Sequence, residues 1–165
     1  DFIAMAGFTM ATAWLDFNRT ASTISAKGRI FQLYQQQFGA IPVAVDGHSP
    51  TPKPQYPIGG DQPKVNAGSA TYPLDVSASL TEDGSALIIA VVNATEQEGA
   101  LALNIEDFPY QATGQCWKFT GLGPDAKNAV GKEPEVITVS AEFDATAKRL
   151  HIAPLSVELY RFFRV

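Results

Sequence analysis

Tyr72-Pro73-Leu74-Asp75-Val76-Ser77-Ala78-Ser79-Leu80-Thr81-Glu82-Asp83-Gly84-Ser85-Ala86-Leu87-Ile88-Ile89-Ala90-Val91-Val92-Asn93 is the stretch that decides the fold. Leu74, Val76, Ala78 and Leu80 alternate with Asp75, Ser77, Ser79 and Thr81. A period of two gives one apolar and one wet face, so the spacing predicts a half-buried strand. Glu82-Asp83-Gly84-Ser85 is turn chemistry, because glycine accepts a positive φ at little cost. Ala86 to Val92 then runs apolar with little alternation, as suits a central strand covered on both faces. The pair predicts a long hairpin at the middle of an antiparallel core. It carries no catalytic chemistry.

Strands continue downstream. Leu101, Leu103 and Ile105 alternate with Ala102, Asn104 and Glu106. A run from Gly114 to Thr120 sets Trp117 and Phe119 on one face. A loop rich in Gly, Pro, Asp and Asn fills 121–132. Val136, Ile137 and Val139 open another strand, and Leu150 and Ile152 mark the next. In the last, Leu155, Val157 and Leu159 alternate with Ser156, Glu158 and Tyr160, before Phe162-Phe163. With a short strand at Val43, about eight strands are expected. The fold class expected is mainly β, an antiparallel β-sandwich of jelly-roll type, with one or two helices before it.

Upstream, Ser25 is placed as the N-cap of a helix over 26–38. Ile30, Phe31, Leu33, Tyr34 and Phe38 form its apolar stripe. Gly39 is expected to close it in the left-handed conformation, and Pro42 prevents resumption. Residues 46–71 hold Pro50, Pro52, Pro54, Pro57 and Pro63, which excludes helix and central strand. Two readings exist: a polyproline ligand for a partner, or an ordered connection across the surface. Tyr56, Ile58 and Val65 favour the connection, since they give it something to pack.

Residues 1–17 are apolar on nearly every side. Phe2, Met5, Ala6, Thr9, Met10, Ala13, Trp14 and Phe17 recur at helical spacing, while Ile3, Phe8 and Leu15 fill other faces. A helix of this kind is buried in something larger. The alternative is a strand over 13–18, and periodicity does not separate the two over so short a span. Asp1 opens the chain without Met or signal peptide, so the expectation is the tail of a longer protein.

The 165 residues are 45% apolar and 18% charged, a globular balance with room for one core. The net charge of -5 and the lack of a Lys/Arg cluster argue against nucleic acid. No apolar run approaches the length of a membrane span. Cys116 is the one cysteine and reads as a packed thiol. With no second cysteine and no leader in view, the cytoplasm is the expected compartment. His48 and His151 lack partners at metal-ligand spacing, so no metal and no cofactor is expected. No phosphate-binding glycine loop and no Gly-x-Ser-x-Gly elbow occurs. The acidic residues fall in turns and on polar strand sides. Asn18-Arg19-Thr20 and Asn93-Ala94-Thr95 match the glycosylation pattern, a match common by chance. Asp16 and Asn18 differ, since they follow an apolar stretch and precede a helix, as at the end of a barrel strand.

Phe31-Gln32-Leu33-Tyr34 through Phe38-Gly39, then Ile41-Pro42-Val43, resembles the exit from the catalytic barrel of α-L-arabinofuranosidases of glycoside hydrolase family 51. The run from Tyr56 to Gly68, with Gly59-Gly60-Asp61-Gln62-Pro63-Lys64 at its heart, is similar to one branch of that family. So are Tyr72-Pro73-Leu74-Asp75-Val76, Ala90-Val91-Val92-Asn93 and Ala153-Pro154-Leu155-Ser156-Val157. The resemblance implies a (β/α)8 barrel followed by a C-terminal β-sandwich. Residues 1–39 would be a remnant of the barrel: the end of helix 7 over 1–12, strand 8 over 13–18 and helix 8 over 25–38. Residues 40–165 would be the sandwich.

The resemblance implies retaining hydrolysis by two Glu residues, one of them in an Asn-Glu pair. This chain has no such pair and begins beyond the expected place of the other Glu. No catalytic residue is therefore expected here. Trp14, Asp16 and Asn18 are the candidates for lining the sugar pocket, because barrel sites sit at the C-terminal strand ends. The implied partners are an arabinose-containing oligosaccharide, through the parent enzyme, and either the missing barrel or a second copy over the apolar start. Two other functions compete. One is a carbohydrate-binding module using Tyr56, Tyr72 and Tyr110; the other is a protein-interaction module using the proline-rich segment.

Overall fold

The structure is a computed structural model that describes residues 14–49, 70–121 and 123–165. Most of the helix expected over 1–17 and the Pro-rich run at 50–69 lie outside the described residues, but residues 15–17 are described and form a strand, the alternative read over 13–18. The decisive hairpin forms as expected. β4 (Leu74–Leu80) pairs antiparallel with β5 (Ala86–Asn93), from Leu74 opposite Asn93 to Leu80 opposite Leu87. The turn has Gly84 at φ 67. Asp83 Oδ1 accepts from the Ser85 N–H and hydroxyl. Hydrogen bonds from Thr81 and Ser85 hold the Asp83 carboxyl down at about 2.

The remaining elements in chain order are β1 (Leu15–Phe17), β2 (Ser22–Ile24), α1 (Ala26–Gln37), β3 (Ile41–Val43), β6 (Gly99–Ala102), β7 (Thr113–Gly121), β8 (Val136–Asp144), β9 (Arg149–Ile152) and β10 (Ser156–Phe163). Six strands make one antiparallel sheet in the order β3-β4-β5-β10-β7-β8. β6 and β9 form a second, two-stranded sheet. Leu150 and Ile152 from it pack with Leu87, Ile89, Val91, Cys116 and Phe162 of the main sheet. On the opposite face Leu33 of α1 packs with Ala86, Ile88, Ala90, Phe119, Val157 and Leu159, flanked by Ile30, Tyr34 and Phe38. The result is a mainly β, antiparallel sandwich with one helix among the described residues. β5 is covered on both faces, as its unbroken apolar run requires.

α1 starts where the sequence places it, with the Ser25 side chain accepting from the Gly28 N–H. Its end differs. Phe38 is extended at φ -79 and ψ 144, and Gly39 does not take a positive φ. The glycine is needed for approach rather than for handedness. A Cβ on Gly39 would sit on the Leu80 carbonyl oxygen, and the Gly39 N–H donates to Ser79 Oγ at 2.8 Å. The backbone leaving the helix thus lies directly on the first strand of the hairpin. The alternation seen from Leu101 to Ile105 also shortens. The strand ends at Ala102, although Leu103 and Ile105 still pack against the core.

Gly39→Ala should therefore destabilise the protein by about 2 kcal/mol through overpacking. Gly123→Ala, where nothing lies within 4 Å of the added methyl, should change stability little. Urea denaturation of both variants checks the difference.

Candidate functional site

The three residues singled out from the sequence lie at the β1–β2 hairpin. Leu15 to Phe17 pairs antiparallel with Ser22 to Ile24. Asp16 Oδ2 accepts from the Val130 N–H at 2.7 Å, tying the hairpin to the loop before β8. Asn18 Oδ1 accepts from the Thr20 N–H at 2.9 Å, the Thr20 hydroxyl at 3.1 Å and the Ala21 N–H at 3.0 Å. That is the way an Asn organises a tight turn. Trp14 meets the ring of Phe31 edge-on, with centroids 3.7 Å apart. The three thus share one hairpin, and each has a partner elsewhere: Phe31 for Trp14, Val130 for Asp16, and the Thr20–Ala21 turn for Asn18. Leu15 and Phe17, which alternate with them, are 39% and 58% exposed.

The second place of interest is one that the sequence reading passes over. Glu158 alternates with the apolar Val157 and Leu159 in the last strand, yet it is fully buried. Its strand, β10, lies between β5 and β7, and the side with Tyr160 and Phe162 faces the second sheet. Glu158 Oε1 accepts from the Ala153 N–H at 2.7 Å and from Ser156 Oγ at 3.2 Å. Oε2 accepts from the Tyr160 hydroxyl at 2.5 Å and lies 3.1 Å from Lys118 Nζ. The Ser156 hydroxyl has one proton, which it gives at 2.7 Å to the Ala153 carbonyl and shares only at longer range with Oε1. The Ala153 N–H, the Tyr160 hydroxyl and Lys118 are the firm donors. Between them both oxygens are served, which is the condition for keeping a carboxylate out of water. The signal lay in its own face: residues 160 and 162 are aromatic, so position 158 shares a buried side.

This network has no free lone pair directed into a cleft. It can hold the β9–β10 turn and β7 in register; it offers no acid or base to a substrate. Burial, and then the bond to Glu158, push the Tyr160 hydroxyl up from its ordinary value. Burial likewise pushes the Cys116 thiol up, against the pull of Lys118, so the packed thiol expected from the sequence is found. Asn93 is comparable. It is buried, and its Nδ2 donates to the Gln97 and Ala153 carbonyls at 2.8 and 3.0 Å, which removes it as a glycan acceptor in the folded chain.

A groove of about 480 Å³ lies between β4 and β6, lined by Val76, Ala78, Leu87, Ile89, Leu101 and Leu103. Asp46 and His48 stand at its rim, and Asp46 is its one carboxylate among the described residues. Glycoside hydrolysis needs two carboxylates facing across the bond. Among the described residues no group of three or more His, Cys, Asp or Glu could hold a metal ion. Nor is any helix among them long and apolar enough to cross a membrane. Of the tyrosines considered for sugar stacking, Tyr110 places its ring against Phe162 at 5.3 Å, Tyr72 lines the groove, and Tyr56 lies outside the described residues.

Glu158→Ala should cost about 3 kcal/mol, since it strands the Tyr160 hydroxyl and the Ala153 N–H away from water; equilibrium urea unfolding measures it. The Tyr160 shift has a definite sign. A hydroxyl with a raised folded pKa contributes stability that is fully present below the unfolded value near 10 and is lost as pH rises through the folded one. In an ultraviolet titration Tyr160 should ionise only as the chain unfolds, so Tyr160→Phe should leave the early tyrosinate absorbance unchanged.

No protein-family model matches the sequence, and no curated protein matches it. Solved structures do. The α-L-arabinofuranosidase of Thermotoga maritima, in an arabinose complex, matches at a TM-score of 0.66 and 18% identity, over 89% of this chain and 30% of that one. The thermostable family 51 α-L-arabinofuranosidase of Thermotoga petrophila RKU-1 gives 0.69 at 18%, over 89% and 31%. The family 51 arabinofuranosidase of Xanthomonas axonopodis pv. citri gives 0.61 at 15%, over 90% and 28%. The chain spans under a third of the length of each. The resemblance read from the sequence is thus met in three dimensions: nearly all of this chain shares the fold of one part of these enzymes.

Proposed function

We propose that this chain is the C-terminal accessory part of an α-L-arabinofuranosidase. The whole enzyme would release terminal α-L-arabinofuranosyl residues from arabinan or arabinoxylan with retention of configuration. The chain itself supplies scaffold and no cutting groups. One observation carries this: about nine-tenths of the chain superposes on less than a third of arabinofuranosidases.

In this scheme residues 1–39 come from the barrel and residues 40–165 are the sandwich. The division is one of origin rather than of folding, because Leu33 of α1 belongs to the sheet's own core. Trp14, Asp16 and Asn18 would border the sugar site of the parent, contributed by the hairpin where the chain leaves the barrel. Leu15, Phe17, Phe31 and Ile41 are exposed by 39%, 58%, 45% and 44%. Such a set is the expected seat of the missing barrel, or of a second copy of the chain.

The isolated chain should not hydrolyse 4-nitrophenyl α-L-arabinofuranoside, and titration calorimetry with arabino-oligosaccharides should give no saturable heat. Turnover that disappears on substituting a Glu of this chain contradicts the proposal. Saturable heat without turnover favours a carbohydrate-binding module instead.

A further inference from the structure

β8 is the outer strand of the main sheet on the β7 side. Which of its backbone groups are free follows from one side chain. Asn128 Nδ2 donates to the Val136 carbonyl at 3.0 Å, and the Val136 N–H donates to Asn128 Oδ1 at 3.0 Å. Both polar groups of Val136 therefore point away from β7. Along an antiparallel strand this orientation alternates. Thr138, Ser140 and Glu142 must then point outward as well, while Ile137, Val139 and Ala141 bond to β7. The next odd position past the strand fits, since the Ala145 N–H donates to the Ala112 carbonyl at 2.8 Å. Among the described residues, no backbone or side-chain group bonds the outward amides and carbonyls of Thr138, Ser140 and Glu142.

Free sheet edges template further pairing, and proteins guard them. The opposite edge, β3, is three residues long and contains Pro42. β8 is nine residues long, and the described residues guard only its start. There Asn128 caps Val136, and the Lys127 N–H donates to Glu135 Oε2 at 3.0 Å. Beyond that point Ile137 and Val139 are 52% and 51% exposed on one face. Thr138 and Ser140 line the other. Residues 132–144 carry four acids, Glu133, Glu135, Glu142 and Asp144, against one base, Lys132.

We propose that β8 is a docking edge for an extended, basic segment of another polypeptide. The segment adds to the sheet as a further strand, bonding the outward groups of Thr138, Ser140 and Glu142. Its apolar side chains cover Ile137 and Val139, and a Lys or Arg lies against Glu142. Charge decides against a second copy of this chain, which would lay the same acidic edge upon itself. The inference concerns a different surface from the exposed residues around β1 and does not depend on the arabinofuranosidase assignment.

The test uses the full chain and a synthetic peptide of alternating Val and Lys, about nine residues long to match the strand. A peptide with Glu in place of Lys is the control. Amide hydrogen exchange is followed by NMR. Without peptide the amides of Thr138, Ser140 and Glu142 should exchange freely. With the Lys peptide they should slow by roughly tenfold or more. Glu142→Lys, at an exposed position, should shift the preference towards the Glu peptide. Four outcomes overturn the proposal: protection of those amides in the free chain, no slowing at saturating Lys peptide, equal slowing by both peptides, or protection that rises with protein concentration alone.

Discussion

A strand that is apolar on both faces has to be covered twice, and the rest of this structure follows from that demand. β5 contributes Leu87, Ile89 and Val91 to one side and Ala86, Ile88 and Ala90 to the other. Neither neighbour in its sheet can cover those faces, because β4 and β10 lie beside it rather than over it. One cover is the small β6–β9 sheet. The other is α1, whose Leu33 is 5% exposed. The helix is therefore a layer of the core and not an appendage. The close passage of Gly39 over Leu80 is the local consequence, since helix and hairpin must meet without side-chain volume between them.

Three of the buried polar residues sit where the layers end, while Ser79 lies under Gly39 and Asn128 against Val136. Glu158, Ser156 and Asn93 are buried together near the β9–β10 turn, and each has its hydrogen-bonding groups occupied by backbone or side-chain partners. Glu158 takes its contacts from its own strand and the turn before it, at Ala153, Ser156 and Tyr160, and from Lys118 on β7. It therefore fixes the shape of the β9–β10 turn and adds one tie across to β7. The chemistry of this chain is in that sense turned inward. Its most perturbed groups stabilise a scaffold, as the proposed role beside a catalytic barrel calls for.

Much of this was legible in the residues. The Asp-Gly turn, the two-faced strand, the Ser25 cap and the count of sandwich strands all rest on short-range rules, and those rules act within a few residues. What escaped depends on long-range placement. Glu158 looks solvent-facing because Ser156 and Glu158 are polar; the aromatic residues 160 and 162 hint otherwise, and the second sheet packed over that face is what closes it. Gly39 looks like a helix terminator because that is the common use of glycine there. Its need for closeness to Leu80 involves a residue 41 positions away in the chain. The first strand of the hairpin fits the strand alternative read over 13–18, but its partner at Ser22–Ile24 was hidden, because three-residue strands leave too little pattern to read.

The most direct test of the two-sided burial of β5 is the unfolding of a truncated chain comprising residues 40–165. Near-ultraviolet dichroism and urea titration should show loss of the cooperative transition seen for residues 1–165, because removal of α1 bares Ile88, Ala90 and Leu159. A truncated chain that unfolds cooperatively at the same urea concentration as the full one would mean that the helix is no part of the core, and the account of the fold given above would be wrong.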